Sequence, residues 1–497
     1  MKTSYIKNIA LFCIVAVFVS FCVVQRSPVT GSKRAYGYSW EQEIQIGKEA
    51  DQQIQQQYGV YDDEELLNYV ENVGQEVLSV SHMRREDTDQ KYRETEFYFR
   101  VLNSPVVNAF ALPGGYVYVT RGMLAHVENE AQLAVVLGHE IAHVAARHAS
   151  QRAFEQQMGQ LALIGGAVAG EELLGIPGQS VLQLGSTAAQ LLFLSYSRDD
   201  ERESDKLGVE YAAMSNYDAA DGAGFFSALE RISEQSGQSI PTWQSSHPDP
   251  SERANTIPEM AEQWREKGYE QNIEDTDEYM NMIDGLIYGN NPREGFTENG
   301  NFYHPDLEFK FSYPSSWELI NQTTQVAMVS EKEDAIMILQ IDGEASSPEE
   351  SVANFVTQEG FSVENRGATQ NNSLQGYEAI AGAQGEDGTE YGFYVYSVSY
   401  GDEIYRFVTY TLADNFANYQ STFEETSNSF ASLTDQRILN VQPMRLETIK
   451  TDRSGDISSF LTDNLPEEVS AEDIAIVNQV EMDETIEAGN WIKIPRQ

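Results

Sequence analysis

Cysteine is almost absent. The 497-residue chain has two, Cys13 and Cys22, both near its start. The body of the chain therefore has no disulfide and no thiolate to offer, and any metal in it must be held by His, Asp or Glu. Basic residues are scarce as well: 32 Lys and Arg stand against 78 Asp and Glu, a formal net charge of -46. So little positive charge argues against nucleic acid as a partner, because phosphate binding needs basic patches. A surface this acidic repels itself when compact and suits high ionic strength, so the readings are adaptation to salt or simply an acidic secreted protein. Long hydrophobic runs are missing beyond the first 24 residues. The nearest, "LALIGGAVAG" (Leu161 to Gly170), is too short to span a membrane and runs into Glu171 and Glu172. Its small residues suit a tightly packed helix or a flap near a cleft.

What is present begins with a leader. Lys2 and Lys7 precede a nearly unbroken apolar run from Ile9 to Val24, which reads as a secretory signal or anchor over residues 1–24. Cys22 ends the run where a bacterial lipoprotein carries its lipidated cysteine, although Phe21 replaces the small residue expected before it; an uncleaved anchor is the alternative. The expectation is an exported protein of the periplasm or outer membrane.

Four regions follow. Residues 25–288 are mostly helical, with a Ser39 cap opening a helix that ends at Gly59. Strand-like stretches "EFYFRVL", "VVNAFAL" and "YVYVT" surround a Pro113-Gly114-Gly115 turn. "GNNPREGFTENGN" at 289–301 reads as a turn-rich linker. Strand signals return over 302–434 in an α+β pattern. A small α/β module is expected over 435–497.

The chemistry concentrates in "LGHEIAHVAARH", Leu137 to His148. At about 100° per residue, His139 and His143 share one helix face, ~40° apart. Leu133, Leu137, Ile141 and Val144 form an apolar stripe opposite. Glu140 projects ~100° from His139, beside the histidine face and off it. This is H-E-x-x-H, two imidazole ligands for one zinc ion with a carboxylate within reach of a water at the metal. On a straight helix His148 lies ~180° from His139, so it is expected at the surface or helix end, outside the site. A hydrolytic zinc needs a third protein ligand. The downstream candidate is "SYSRDDERESDKLGVEYAAM", with Ser197 as N-cap and Glu201 and Asp205 one turn apart. Glu201 is the expected ligand and Glu203 its rival; Asp205 is placed to accept the outer ring N–H of His139 or His143.

"HEIAH" followed by "ERESD" resembles the gluzincin family that contains the HtpX proteases, the CAAX prenyl endopeptidases and the BepA-type periplasmic zinc proteases. "NAFALPGGYVYVTRGML" (Asn108 to Leu124) and "SHPDPSERANTI" (Ser246 to Ile257) resemble further stretches of that family, and the likeness runs over about residues 28 to 285. It implies a mainly α zincin protease domain with a small β-sheet, one Zn2+ per chain on His139, His143 and Glu201, and Glu140 as catalytic base. The edge strand with Asn108, Ala109 and Phe110 is then expected to bind the substrate backbone. His247 is expected either to stabilise the oxyanion or to occupy the open zinc position and hold the enzyme off. Arg253 is an oxyanion or structural candidate. "FKFSYPSSWEL" (Phe309 to Leu319) resembles PsbP-like domains, and the last module resembles a degenerate LysM-type unit.

The implied function is a zinc endopeptidase acting on unfolded or misassembled envelope proteins, with a peptidoglycan or other envelope partner for the C-terminal module. The alternative is a catalytically silent binding or chaperone-like scaffold. Against it stands Glu140, since a silent core has no use for a base beside the metal.

Overall fold

The computed structural model describes residues 23–156, 196–236, 247, 252–358, 360–385, 388–461, 465–466 and 468–497. Residues 1–22 of the expected leader, with Cys22, and the stretch from Leu161 to Gly170 lie outside the described residues. Val23 and Val24, the last two residues assigned to the leader, fall in β1 (Val23–Arg26), which pairs antiparallel with β2 (Lys33–Tyr36). No described helix is long and apolar enough to cross a membrane. The chain divides into two compact units. The first is built from residues 1–55, 59–289 and 444–497, the second from 56–58 and 290–443.

In the first unit, α1 (Trp40–Tyr58) starts at Ser39. Ser39 Oγ accepts the Gln42 N–H, and the Gln42 side chain accepts the Ser39 N–H, so two otherwise orphaned donors are satisfied. α2 (Glu64–Val80) is capped by Asp63 and buries Leu66, Val70, Val73 and Val77 along one stripe. Strands β3 (Tyr98–Leu102), β4 (Ala109–Leu112) and β5 (Tyr116–Thr120) form a sheet in the order β3-β5-β4. β5 runs parallel to β3 and antiparallel to β4, and all its residues are buried, as a central strand requires. Among the described residues β4 pairs on one side only, so it is an edge.

α3 (Glu130–Ala146) carries the two histidines and is capped by Asn129. Every residue of it is buried. The apolar stripe is present, but the histidine face is covered as well, because β4, β5, α2 and α4 (Arg198–Met214) all pack against this helix. α3 and α4 touch backbone to backbone at Gly138 and Gly208. A Cβ on Gly208 would stand 2.8 Å from His139 N, and one on Gly138 2.9 Å from Gly208 O. Helices α5 (Gly222–Ser236), α6 (Arg253–Glu266) and α7 (Thr276–Ile283) complete this layer.

The second unit opens with β6 (Phe296–Glu298), β7 (Asn301–His304), β8 (Phe309–Ser312), β9 (Glu318–Asn321), β10 (Gln325–Val329) and β11 (Ala335–Ile341). After α8 (Pro348–Val356) come β12 (Phe361–Asn371), β13 (Leu374–Gln384), β14 (Glu390–Tyr400) and β15 (Glu403–Leu412), then α9 (Phe416–Asn428) and β16 (Ala431–Ser432). The order β12-β13-β14-β15-β11-β10-β9 makes an antiparallel sheet, and β16-β8-β7-β6 a smaller one. Phe302, Phe309, Phe311, Phe407 and Phe423 fill the core. The turn residues of 289–301 serve a hairpin: β6 and β7 turn through Asn299 and Gly300, both at positive φ.

From Met444 the chain rejoins the first unit. β17 (Arg445–Lys450) and β18 (Trp491–Arg496) pair antiparallel, with α10 (Ala471–Val477) between them in sequence. Leu446 N donates to Leu286 O, and Gly285 N donates to Leu446 O, each at 2.8 Å. Lys493 is fully buried, with Nζ 2.8 Å from both Glu128 Oε1 and Val127 O, in the loop just before α3. Gln479 exchanges side-chain hydrogen bonds with Gln132 on the first turn of α3. The segment read from sequence as a small separate module thus shares a core with the helical domain, through Leu446 and Val477.

Candidate metal centre

His139 and His143 point from one turn of α3 toward the same spot, with their Nε2 atoms 3.0 Å apart. The Gly138–Gly208 contact brings α4 close enough for Glu201 to face them. Glu201 Oε1 is 3.5 Å from His143 Nε2, and Oε2 is 3.6 Å from His139 Nε2. Ser197 fixes the start of α4 through a reciprocal cap with Asp200, which sets the position of Glu201 one turn on. His247 closes the group. Its Nδ1 lies 3.1 Å from each Glu201 oxygen and 3.3 Å from His139 Nε2. One donor atom from each of these four residues lies within 4.8 Å of the others, and all four residues are buried. Glu140 is buried beside them, with Oε1 3.7 Å from His247 Nε2; neither carboxylate oxygen has a hydrogen bond among the described residues.

The outer partners divide into two sets. Asp205 Oδ1 lies 2.9 Å from His139 Nδ1, so His139 presents its Nε2 to the centre. Arg253 reaches across from α6, donating from Nε to Asp205 Oδ2 at 2.9 Å and from Nη2 to Glu201 Oε2. It thereby holds both carboxylates, while its Nη1 makes no hydrogen bond among the described residues. Asn108, just before β4, is buried with its Oδ1 likewise free of hydrogen bonds, and Ala109 and Phe110 are buried in or beside that edge strand.

His148 corrects the expectation. It is fully buried and approaches the site, its Nδ1 3.0 Å from His143 Nδ1. The straight-helix projection fails because α3 stops at Ala146: Arg147 takes the left-handed conformation at φ 63° and turns the chain back. Glu203, the rival for the third ligand position, faces outward from the cluster and meets His148 Nε2 at 3.3 Å. Tyr196 also escaped the sequence reading; its ring lies on His143 with centroids 4.1 Å apart.

The electrostatics call for a cation. Burial alone would lower the His139 pKa, but hydrogen bonds to Asp205 and Glu201 carry it up to about 9. Burial works against the charged form of Glu201 too, yet His247, His139 and His143 hold its carboxyl well below the usual range. Burial drives His143 down, keeping its imidazole neutral, and pushes the Glu140 carboxyl up. Two inward imidazole nitrogens, a carboxylate and a third imidazole, converging in a buried spot, are the donor set of a zinc site. The residues present fit that ion.

Residues 68–261 match the model of peptidase family M48. That span is similar to an M48 peptidase domain. Zinc is the metal of that family, and all four residues of the cluster lie within the matched span. The chain is 28% identical over 244 residues to the beta-barrel assembly-enhancing protease of Escherichia coli K12, covering 48% of this chain and 47% of that protein. It is 28% identical over 246 residues to the mitochondrial metalloendopeptidase OMA1 of Schizosaccharomyces pombe, covering 48% and 67%. Bovine OMA1 is 33% identical over 177 residues, 34% of this chain and 33% of that protein. The match spans about half the length of the beta-barrel assembly-enhancing proteases. The solution structure of cyanobacterial PsbP from Synechocystis sp. PCC 6803 is 14% identical over 27% of this chain and 91% of its own, with a TM-score of 0.23. A likeness that low carries nothing further.

Proposed function

We propose that this M48-like domain is a zinc-dependent endopeptidase of the bacterial cell envelope that removes misfolded or misassembled proteins. The observation that carries the reading is the buried convergence of His139, His143 and Glu201 with the Glu140 carboxylate alongside. His139, His143 and Glu201 would hold the ion. Zinc there supplies Lewis-acid chemistry, drawing electron density from a carbonyl oxygen and making a water at the site more acidic. Glu140 takes a proton from the attacking water and delivers it to the leaving amine nitrogen, a role its burial suits by raising its proton affinity. The β4 edge pairs with the substrate backbone as an added strand, with Asn108 bonding it near the scissile bond. Arg253 fixes the ligand carboxylate and Asp205. The leader would place the protein in the periplasm or on the outer membrane, and the relatives named for barrel assembly support an envelope setting.

His247 fits the role of a gate better than that of an oxyanion donor. Its Nδ1 faces the same centre as the other three donors, and a four-ligand zinc has no open position for substrate. Displacing it would open the site. Casein hydrolysis tests both points. Wild type should cleave unfolded casein and Glu140→Gln should not, with zinc content equal in the two; equal cleavage would end the reading. His247→Ala should cleave faster than wild type, whereas a slower variant would assign His247 to the transition state.

A further inference from the structure

We propose that His148 and Glu203 form a positioning relay that fixes His143 in the one tautomer able to bind metal through Nε2. The inference rests on the metal-centre reading and deepens it.

The proton positions follow from the geometry. His143 turns Nε2 toward His139 Nε2 at 3.0 Å and Glu201 Oε1 at 3.5 Å, so Nε2 must keep its lone pair for the ion and the ring proton must sit on Nδ1. His143 Nδ1 meets His148 Nδ1 at 3.0 Å. Two facing N–H groups cannot share that distance, so His148 Nδ1 is the acceptor and its own proton is on Nε2. That Nε2–H points at Glu203 Oε2, 3.3 Å away, with Asp200 Oδ1 at 3.8 Å. A carboxylate at one end and the ion at the other thus set every tautomer in between. Among the described residues Ser204 Oγ, 3.4 Å away, is the one other polar atom within hydrogen-bond distance of His148 Nδ1. The arrangement parallels the other ligand, where Asp205 meets His139 Nδ1 directly; His143 reaches its carboxylate through an intervening imidazole.

The fold invests in this turn. A left-handed conformation costs a non-glycine residue ~1–2 kcal/mol, and Arg147 is held in it from several sides. Its Nε donates to Glu43 Oε1 at 3.0 Å, Nη1 to Gln25 Oε1 at 2.8 Å and Nη2 to Tyr38 O at 2.9 Å. Its guanidinium lies 3.7 Å from the centre of the Tyr36 ring. The result is that His148 is folded back under α3 instead of leaving along it.

Zinc affinity of the full chain, measured by competition with a chromophoric chelator, tests the relay without reference to catalysis. His148→Leu, which fills the space but accepts no hydrogen bond, should weaken zinc binding about 10–100-fold. His148→Asn, whose Oδ1 can stand where Nδ1 was, should remain within a few-fold of wild type. Thermal unfolding of the metal-free proteins checks that both variants fold. Wild-type affinity in His148→Leu, or equal loss in His148→Leu and His148→Asn, would overturn the relay. Absence of zinc binding in the wild type would overturn the metal-centre reading itself.

Discussion

Glu201 and Glu203 are two residues apart on one helix and do different things. Glu201 is turned into the buried cluster, and Glu203 is turned toward His148. Metal analysis at saturating zinc should therefore find well under one ion per chain in Glu201→Gln and one per chain in Glu203→Gln. The reverse pattern would move the ligand assignment. Arg147 makes a second test. Its side chain and that of Glu43 are both essentially inaccessible. Arg147→Ala leaves Glu43 charged and buried without its partner, which should cost about 3–5 kcal/mol in denaturant unfolding. The histidine pair was readable because it needs only one helical turn. Glu201 was readable because a spacing motif marks it. His148 was not, since arginine does not announce a left-handed turn and extrapolating a straight helix sends the next residue to the wrong side.

Helix starts were legible from their caps: Ser39 and Ser197 each begin the helix they precede. So was the β4–β5 hairpin, from the Pro-Gly-Gly turn. What the pattern did not convey is how closely α3 and α4 meet. Gly138 and Gly208 sit inside helices, where glycine is disfavoured by ~1 kcal/mol relative to alanine, and that unfavourable choice was the available signal. Gly208→Ala gains helix propensity yet drives a methyl group against the His139 backbone. Overpacking of this kind costs about 1–3 kcal/mol, so the variant should melt below wild type. It should also bind zinc more weakly, because Glu201 is displaced from the imidazoles as the helices part. A higher melting temperature with unchanged zinc affinity would show that the contact has slack.

With a formal net charge of -46, the folded chain gathers like charges that the unfolded chain disperses. Its unfolding temperature should rise steadily from low salt to molar NaCl; a flat response would mean that local pairing already balances the repulsion. The α+β pattern of 302–434 followed from strand alternation. The return of residues 444–497 to the first unit did not. Local signals describe β17, α10 and β18 well enough, but the contact of Lys493 with Val127 joins positions 366 residues apart, and no short-range pattern encodes it. Lys493→Met should destabilise the helical unit, since it strands the Glu128 carboxylate whose proton affinity burial already raises. Synthesis delivers a chain from its beginning, so the histidine-bearing helix emerges long before the strand that braces its forward end. Until that last strand arrives, the loop leading into the helix lacks the buried ammonium that ties Val127 and Glu128 together.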